Sequence, residues 1–456
     1  MEARKEEFRK YLEETGVIGA LTKALIKLYE MKFDRPDSAV LFIQKELSGN
    51  CVTLAEYQNV VKELEEAKVK IAAQTATVTK SSTRSVPSVR TEETAEVPNE
   101  PDATSSDDKD LLEKLQADET CNSLLKQYLT MELLESLQNK TTASGKSIRD
   151  CINSGLQYHT SSVGIYAADA DAYEVFSELF NPIIAEYHEF SVDQSHPLGD
   201  GWEGDDSYFE HLDESNKYIT STRIRCARSM EDFPLNPSMS EQNYLDLMKE
   251  ATDALGTLTD DLEGTFYPLE DMDPDEENKM IEAHQLFKSG DKCLQAAGAL
   301  NFWPKGRGIF KNTTETFLVW VNEEDHLRFI SMDQGGDIRV IYNRLKDAVT
   351  KCSDFLKFKR DDRLGWITFC PTNLGSTIRA SVMITLPNLT AKGNLRSLAD
   401  SLNLQIRGTH GEHSEVEDGM YEISNRRRLG VTEFDAVKEM YDGIKQLIEA
   451  EEQAEV

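Results

Sequence analysis

Between Ala73 and Lys109 the chain carries no apolar period of any kind. Thr, Ser, Glu, Pro and Val follow one another through Ser81-Ser82-Thr83-Arg84-Ser85-Val86-Pro87 and on to Ser105-Ser106-Asp107-Asp108. Such a stretch cannot bury enough apolar surface to offset the entropy of ordering it, so the composition predicts a disordered linker over 73–109. The chain on either side must then build its cores separately. With 456 residues and 39% hydrophobic content there is material for two to four domains.

Residues 1–72 follow helical spacing. Phe8, Leu12, Val17, Leu21, Leu25 and Leu28 recur at three to five residues, a turn falls at Phe33-Asp34-Arg35-Pro36, and Ala39, Val40, Phe42, Ile43 and Leu47 resume the pattern. Leu54, Tyr57, Val61, Leu64 and Ile71 extend it as a short coiled-coil-like segment, with Lys68 interrupting the seam. Beyond the linker, a helical region runs from Asp110 to about Glu189. From about residue 215, strand patterns alternate with long helical ones. The strand candidates are Tyr218–Ile224, Phe317–Val321, Leu327–Met332, Gly365–Phe369, Ala380–Leu386 and Leu402–Arg407. The helical ones are 240–257, 275–288, 336–355, 390–402 and 432–450. The expected class is α/β or α+β behind a small all-helical part.

A net charge of −32, from 50 basic and 82 acidic residues, argues against general adhesion to nucleic acid or to an anionic membrane. No stretch approaches the roughly 20 apolar residues that span a bilayer, and Met1-Glu2-Ala3-Arg4-Lys5-Glu6-Glu7 lacks the apolar core of a secretory signal. A cytoplasmic protein is expected. The seven cysteines are scattered and never spaced as C-x-x-C, and the eight histidines show no ligand spacing, so neither a disulfide scaffold nor a protein-held metal is expected.

Four arginine-bearing segments stand out in this acidic chain: Ser221-Thr222-Arg223-Ile224-Arg225, His326-Leu327-Arg328, Arg379-Ala380-Ser381 and Arg407-Gly408-Thr409. On a strand, Arg223 and Arg225 share a face and call for an anion, which each guanidinium can bind bidentately without losing its proton. Singly, each is equally an ordinary salt-bridged residue. The run Glu323-Glu324-Asp325 needs a cation on at least one acid or lies in a solvated loop. Glu412 lies in a Gly-rich loop from Gly408 to about Gly419, either a closing lid or a plain connection. Cys370, in Cys370-Pro371-Thr372-Asn373-Leu374-Gly375, is a positioning thiol, a buried structural one or a nucleophile.

Taken in order, Trp303-Pro304-Lys305-Gly306-Arg307-Gly308, Val321-Asn322-Glu323-Glu324-Asp325-His326-Leu327-Arg328, the Cys370 segment and Arg407-Gly408-Thr409-His410-Gly411-Glu412-His413 resemble the phosphagen kinases, and among them the arginine kinases, over about 110–450. The resemblance implies an α+β protein: a small helical domain (110–195) before a catalytic domain (215–450) built on an antiparallel sheet flanked by helices. It implies that ATP, with Mg2+, is held by Ser221, Thr222, Arg223, Ile224, Arg225, Arg328, Arg379, Ala380, Ser381, Val382, Met383 and the run Arg407, Gly408, Thr409, His410, Gly411, Glu412. His284 would sit by the nucleoside. The guanidino substrate would meet the loop Ser162, Val163, Gly164, Ile165 and Tyr166, with Glu324, Cys370 and Glu412 as catalytic residues. A Cys370 thiolate there would favour a cation, with a pKa below the free value near 8.5. Direct transfer needs no phospho-enzyme.

The Ser-x-Val-Gly-x-Tyr loop, Gly411-Glu412-His413 and Tyr187 fit the arginine type, which implies L-arginine as substrate, with taurocyamine or a related guanidine as the alternative. Ser162, Ser376 and His410 depart from the usual Gly, Thr and Arg, and Thr160 and Lys292 replace an Asp and an Arg that often pair between the domains. An inactive kinase-fold scaffold is the reading from a different class; five retained arginines and both carboxylates argue against it. Phe8-Arg9-Lys10-Tyr11-Leu12, Gly16-Val17, Leu21-Thr22-Lys23 and Leu28-Tyr29-Glu30 resemble c-Myc-binding protein over about 1–50. That implies a dimerisation and docking module, a homodimer through 1–72, and a kinase-anchoring or axonemal scaffold helix as partner in a cilium or flagellum.

Overall fold

Apolar and polar residues alternate through Arg223-Ile224-Arg225-Cys226, so one strand presents guanidinium groups to one side and apolar groups to the other. This strand, β1 (Ile219–Arg228), lies within an eight-stranded sheet. The structure is a computed structural model and describes residues 106–454 apart from 200, 284, 288–289 and 409–418. The chain divides into units Met1–Pro98 and Asn99–Val456, and the described residues belong to the second. The helical module expected over 1–72 and most of the linker lie outside the described residues.

The other strands are β2 (Gly264–Pro268), β3 (Gly308–Asn312), β4 (Phe317–Val321), β5 (Leu327–Gln334), β8 (Arg379–Thr385), β9 (Leu404–Arg407) and β10 (Met420–Asn425). They run in the order β2-β3-β4-β5-β1-β8-β10-β9, antiparallel at every pairing. On one face Ile224, Val319, Phe329, Ala380, Val382 and Ile423 form a core with the helices Glu241–Leu255, Ile338–Ser353 and Glu433–Ala454. The helix Ile338–Ser353 shows why: Ile338, Ile341, Tyr342, Leu345, Val349 and Cys352 fall on one stripe, and Asp337 caps its first turn by accepting from Val340 N. Each such side chain contributes about 1.5–3 kcal/mol on burial.

The helical region is broken into short pieces rather than continuous. Ser123 caps Leu124–Tyr128, Thr130 caps Met131–Leu137, and Ser147 with Asp150 forms a capping box on Ile148–Gln157. Three caps in so short a span force three helix starts. The first helix, Ser106–Ala117, takes in residues 106–109, which composition assigned to the linker; Asp107 and Asp108 sit in its first turn, where carboxylates favour the helix dipole.

Two expected elements are corrected. Gly365–Phe369 is not a strand of the eight-stranded sheet: its first two residues, Gly365–Trp366 (β7), form a separate two-stranded sheet with Arg360–Asp361 (β6), and the rest is not strand. Ile367 and Phe369 are buried in the helical core instead, and Phe369 N donates to Asp325 Oδ1. The 390–402 helix is two, Pro387–Lys392 and Leu395–Ser401, parted at Gly393 with φ +71°. Strands β2, β3 and β10 were not expected. The alternation Tyr421-Glu422-Ile423-Ser424 in β10 is a signal that pattern reading should have found.

Candidate active site

Sheet register decides what spacing left open. Arg223 lies opposite Ser381, Arg225 opposite Arg379, and Ala227, two residues from Arg225, opposite Arg328. Arg407 lies opposite Glu422, which lies opposite Met383, two residues from Ser381. Because side chains alternate across a strand, Arg223, Arg225, Arg328, Arg379 and Arg407 all share the face away from the helices. Ser221, Ser381 and Met383 share it too. Thr222, Ile224, Ala380 and Val382 point into the apolar core, so they can serve a ligand only as the backbone between arginines.

Positive charge is crowded on this face. Arg379 pairs with Glu422 at 2.9 Å, and Arg328 with Glu323 and Glu324 at 2.8 and 2.9 Å. Burial, then Arg328, Arg379, Arg223 and Arg428, drives the pKa of Arg225 well below the usual guanidinium value. Burial likewise lowers Arg379 to about 10, against the pull of Glu422. The Nε atoms of Arg223, Arg379 and Arg428 are buried without a hydrogen-bond partner among the described residues. Orphaned donors and crowded positive charge fit a polyphosphate, whose oxygens accept from several guanidinium groups at once. Arg223 and Arg328 also lie 5.8 Å from the Trp320 ring centre, and Trp320 Nε1 donates to Gln285 O.

The three consecutive acids face an internal cation. Arg328 lies within ion-pairing distance of Glu323, Glu324 and Asp325, the last at 3.6 Å. Burial opposes the charge on Arg328, but the three carboxylates outweigh it and hold the guanidinium firmly protonated. Burial and the Glu324 charge raise Asp325 to about 7. Glu324 also accepts from Asn373 Nδ2 at 3.3 Å, which turns it toward the Cys370 segment.

Cys370 is buried, with Sγ 3.1 Å from Thr372 Oγ1, and it belongs to the core of the helical half. Its neighbour Phe369 stacks on Tyr166 at 4.8 Å, Ala167 N donates to Phe369 O, and the Tyr173 hydroxyl donates to Thr368 O. The loop Ser162–Tyr166 is thereby joined to the Cys370 segment: Ser162 is exposed, whereas Val163, Ile165 and Tyr166 are buried. The expected depressed thiol pKa is overturned. Burial, reinforced by the charge of Glu324, pushes Cys370 far above its ordinary value, so in the free protein it is a neutral thiol.

His284, Thr409, His410, Gly411 and Glu412 lie outside the described residues, while Gly408 directly follows β9. One residue was missed. Arg428 ends an Arg426-Arg427-Arg428 run that looks like surface charge, and Arg426 and Arg427 do pair outward with Asp400 and Glu439. Arg428 turns inward to line a pocket with Arg225, Arg328 and Arg379. It donates to Thr372 O and Asn373 Oδ1 at 2.7 and 2.6 Å, which ties the cationic face to the Cys370 segment.

A buried cationic face beside a carboxylate and thiol edge defines a phosphotransferase whose second substrate is a cation. Comparison with known proteins agrees. The sequence model described as ATP:guanido phosphotransferase, C-terminal catalytic domain, matches residues 246–454, and the corresponding N-terminal domain matches 119–185. The c-Myc-binding protein model matches 2–84. Arginine kinase 1 of Drosophila melanogaster is 53% identical over 332 residues, 72% of this chain and 93% of its own. Arginine kinase of Polybetes pythagoricus is 51% identical over 343 residues, 75% and 96% of the two chains. The substrate-free duplicated taurocyamine kinase from Schistosoma mansoni superposes with a TM-score of 0.71 at 40% identity, over 75% of this chain and 49% of that one, so this chain spans about half its length. Lombricine kinase superposes with a TM-score of 0.68 at 33% identity, over 74% and 95%. The chain belongs to the ATP:guanido phosphotransferase family. It is an enzyme, an ATP:guanidino phosphotransferase, about half identical to arginine kinases.

Proposed function

We propose that the protein transfers the γ-phosphoryl group of ATP reversibly to L-arginine, giving phosphoarginine and ADP. The observation that carries this is the set of five arginines on one sheet face, adjoining an edge made by Glu324, Cys370 and the loop Ser162–Tyr166. Arg223, Arg225, Arg328, Arg379 and Arg407 hold the phosphates. A magnesium ion entering with the nucleotide would be held mainly by phosphate oxygens and water, and would supply further charge neutralisation. Glu324, with Glu412, orients the planar guanidinium so that one nitrogen attacks the γ-phosphorus in line as the bond to ADP breaks. One of the two carboxylates accepts the proton that nitrogen loses. Cys370 packs beside the guanidinium and forms no bond to phosphorus.

Arginine rather than taurocyamine is favoured by about 50% identity to arginine kinases, against 40% to the taurocyamine kinase. The test is ATP-dependent phosphorylation of arginine, taurocyamine, creatine and lombricine. Arginine should give the highest kcat/KM; no turnover of any of them would sink the reading. Glu324→Gln should lower kcat/KM for arginine about 100-fold, with KM for ATP within threefold of the unsubstituted protein.

For residues 1–72 the reading is a dimerising, docking module that holds the kinase on a ciliary or cytoskeletal scaffold, where it buffers ATP. It rests on the match over 2–84. Deleting residues 1–72 should turn a dimer in solution into a monomer and release the protein from the scaffold while kcat stays unchanged. An unchanged number of chains per particle would count against the module.

A further inference from the structure

The loop Ser162–Tyr166 is held from beneath by a segment that carries none of the reacting groups. Leu124 N donates to Ser162 O and Leu125 N to Val163 O, both at 3.0 Å. Gly164, at φ +73°, lies so close over Leu125 that a Cβ added to it would stand 2.8 Å from Leu125 Cβ. The loop therefore cannot move without the segment Asp118–Leu125.

Where the chain leaves the helix Ile148–Gln157 to enter this loop, His159 Nδ1 lies 2.6 Å from Asp118 Oδ2. Asp118 is itself fixed. Its other oxygen accepts from Thr120 N at 2.9 Å and from the Thr120 hydroxyl at 2.6 Å, and its carbonyl accepts from Lys126 Nζ and Cys121 N. Hydrogen bonds from Thr120 and then His159 hold the Asp118 carboxyl far below the usual carboxylate range, so it is an anion at any working pH. On the other side, Thr160 meets the Cys293 thiol. Thr160 and Lys292 supply no carboxylate–guanidinium pair here. The hydrogen-bonded pair His159–Asp118, at the base of this loop, lies wholly within the helical half.

We propose that His159 and Asp118 are positioning residues for the guanidino substrate, which set the angle at which Ser162–Tyr166 meets Glu324 and Cys370. The proposal rests on the assignment of that loop to guanidine binding. Both side chains are about a quarter exposed, so the pair adds little to global stability; its effect is on geometry.

The test uses the full-length protein, ATP and L-arginine, after the unsubstituted protein has been run on the guanidine panel. His159→Leu should raise KM for arginine about fivefold, with kcat and KM for ATP within twofold. His159→Asn, whose amide N–H can replace the imidazole donor, should recover most of the loss. Asp118→Ala should match His159→Leu, and the double variant should be no worse than either single one. An unchanged KM for arginine, an equal rise in KM for ATP, or fully additive effects would overturn the proposal. Failure of the unsubstituted protein on every guanidine would instead overturn the substrate reading, and the proposal with it, before any variant is compared.

Discussion

Arg225→Ala is expected to lower kcat about 1,000-fold, roughly 4 kcal/mol of barrier at 1.36 kcal/mol per decade, while leaving the free protein as stable as before or more so. Arg225 sits on β1 directly opposite Arg379, with Arg328 and Arg428 around it, and no carboxylate lies within ion-pairing distance of it among the described residues. Like charges facing each other across a strand pair are unfavourable, and burial adds to the cost. Without nucleotide the side chain is therefore a burden; with triphosphate it becomes a donor aimed at charge that shifts during transfer. Arg225→Lys should recover only part of the rate, because an ammonium cannot span two oxygens as a guanidinium does. Steady-state kinetics and urea denaturation of the same preparations test both halves. A kcat within threefold of the unsubstituted value, or a protein destabilised by more than about 2 kcal/mol, would reject this account.

The second large effect is on folding. Glu433→Ala is expected to destabilise the protein by about 3–5 kcal/mol. Glu433 opens the C-terminal helix and is buried with Arg228, 2.7 Å from its Nη2; their side chains are 1% and 0% exposed, too little for water to replace either partner. Trp366 Nε1 donates to the same carboxylate, and the Arg228 guanidinium stacks 4.3 Å from the Trp366 ring. Arg228 also donates to Thr377 Oγ1, just before β8. Burial pushes the Glu433 carboxyl upward against the attraction of Arg228, so the pair is costly to desolvate and its value lies in mutual satisfaction. Removing one member strands the other. Replacing both by Met should therefore restore much of the loss, since an apolar pair of similar volume leaves no orphan charge. The midpoint of urea unfolding reads this directly. A double variant less stable than Glu433→Ala would show that the pair is net stabilising after all.

The sequence by itself determined the periodic parts of this protein. Apolar stripes at helical spacing gave Glu241–Leu255, Ile338–Ser353 and Glu433–Ala454, and the β-branched and aromatic runs gave β4 and β5, because these elements bury a regular face whatever lies opposite. It failed at Gly365–Phe369, whose β-like residues serve the helical core instead of a ladder, and at β10, whose Glu422 and Ser424 face the arginines and break the look of an apolar strand. The motifs identified the residue types for phosphoryl transfer but not their gathering.

Tertiary structure alone decided the rest. Register across β5, β1, β8, β10 and β9 brings five arginines, distant in the chain, onto one face. It separated Arg428 from its neighbours Arg426 and Arg427, three identical residues of which only the last turns inward. It gave Glu323, Glu324 and Asp325 their cation in Arg328, and it reversed the expectation for Cys370. A thiol next to a predicted cation site looks acidic on paper; enclosed in an apolar core beside Glu324, it is held neutral. Local sequence sets which groups a segment carries, whereas charge balance and desolvation depend on neighbours that only folding brings near.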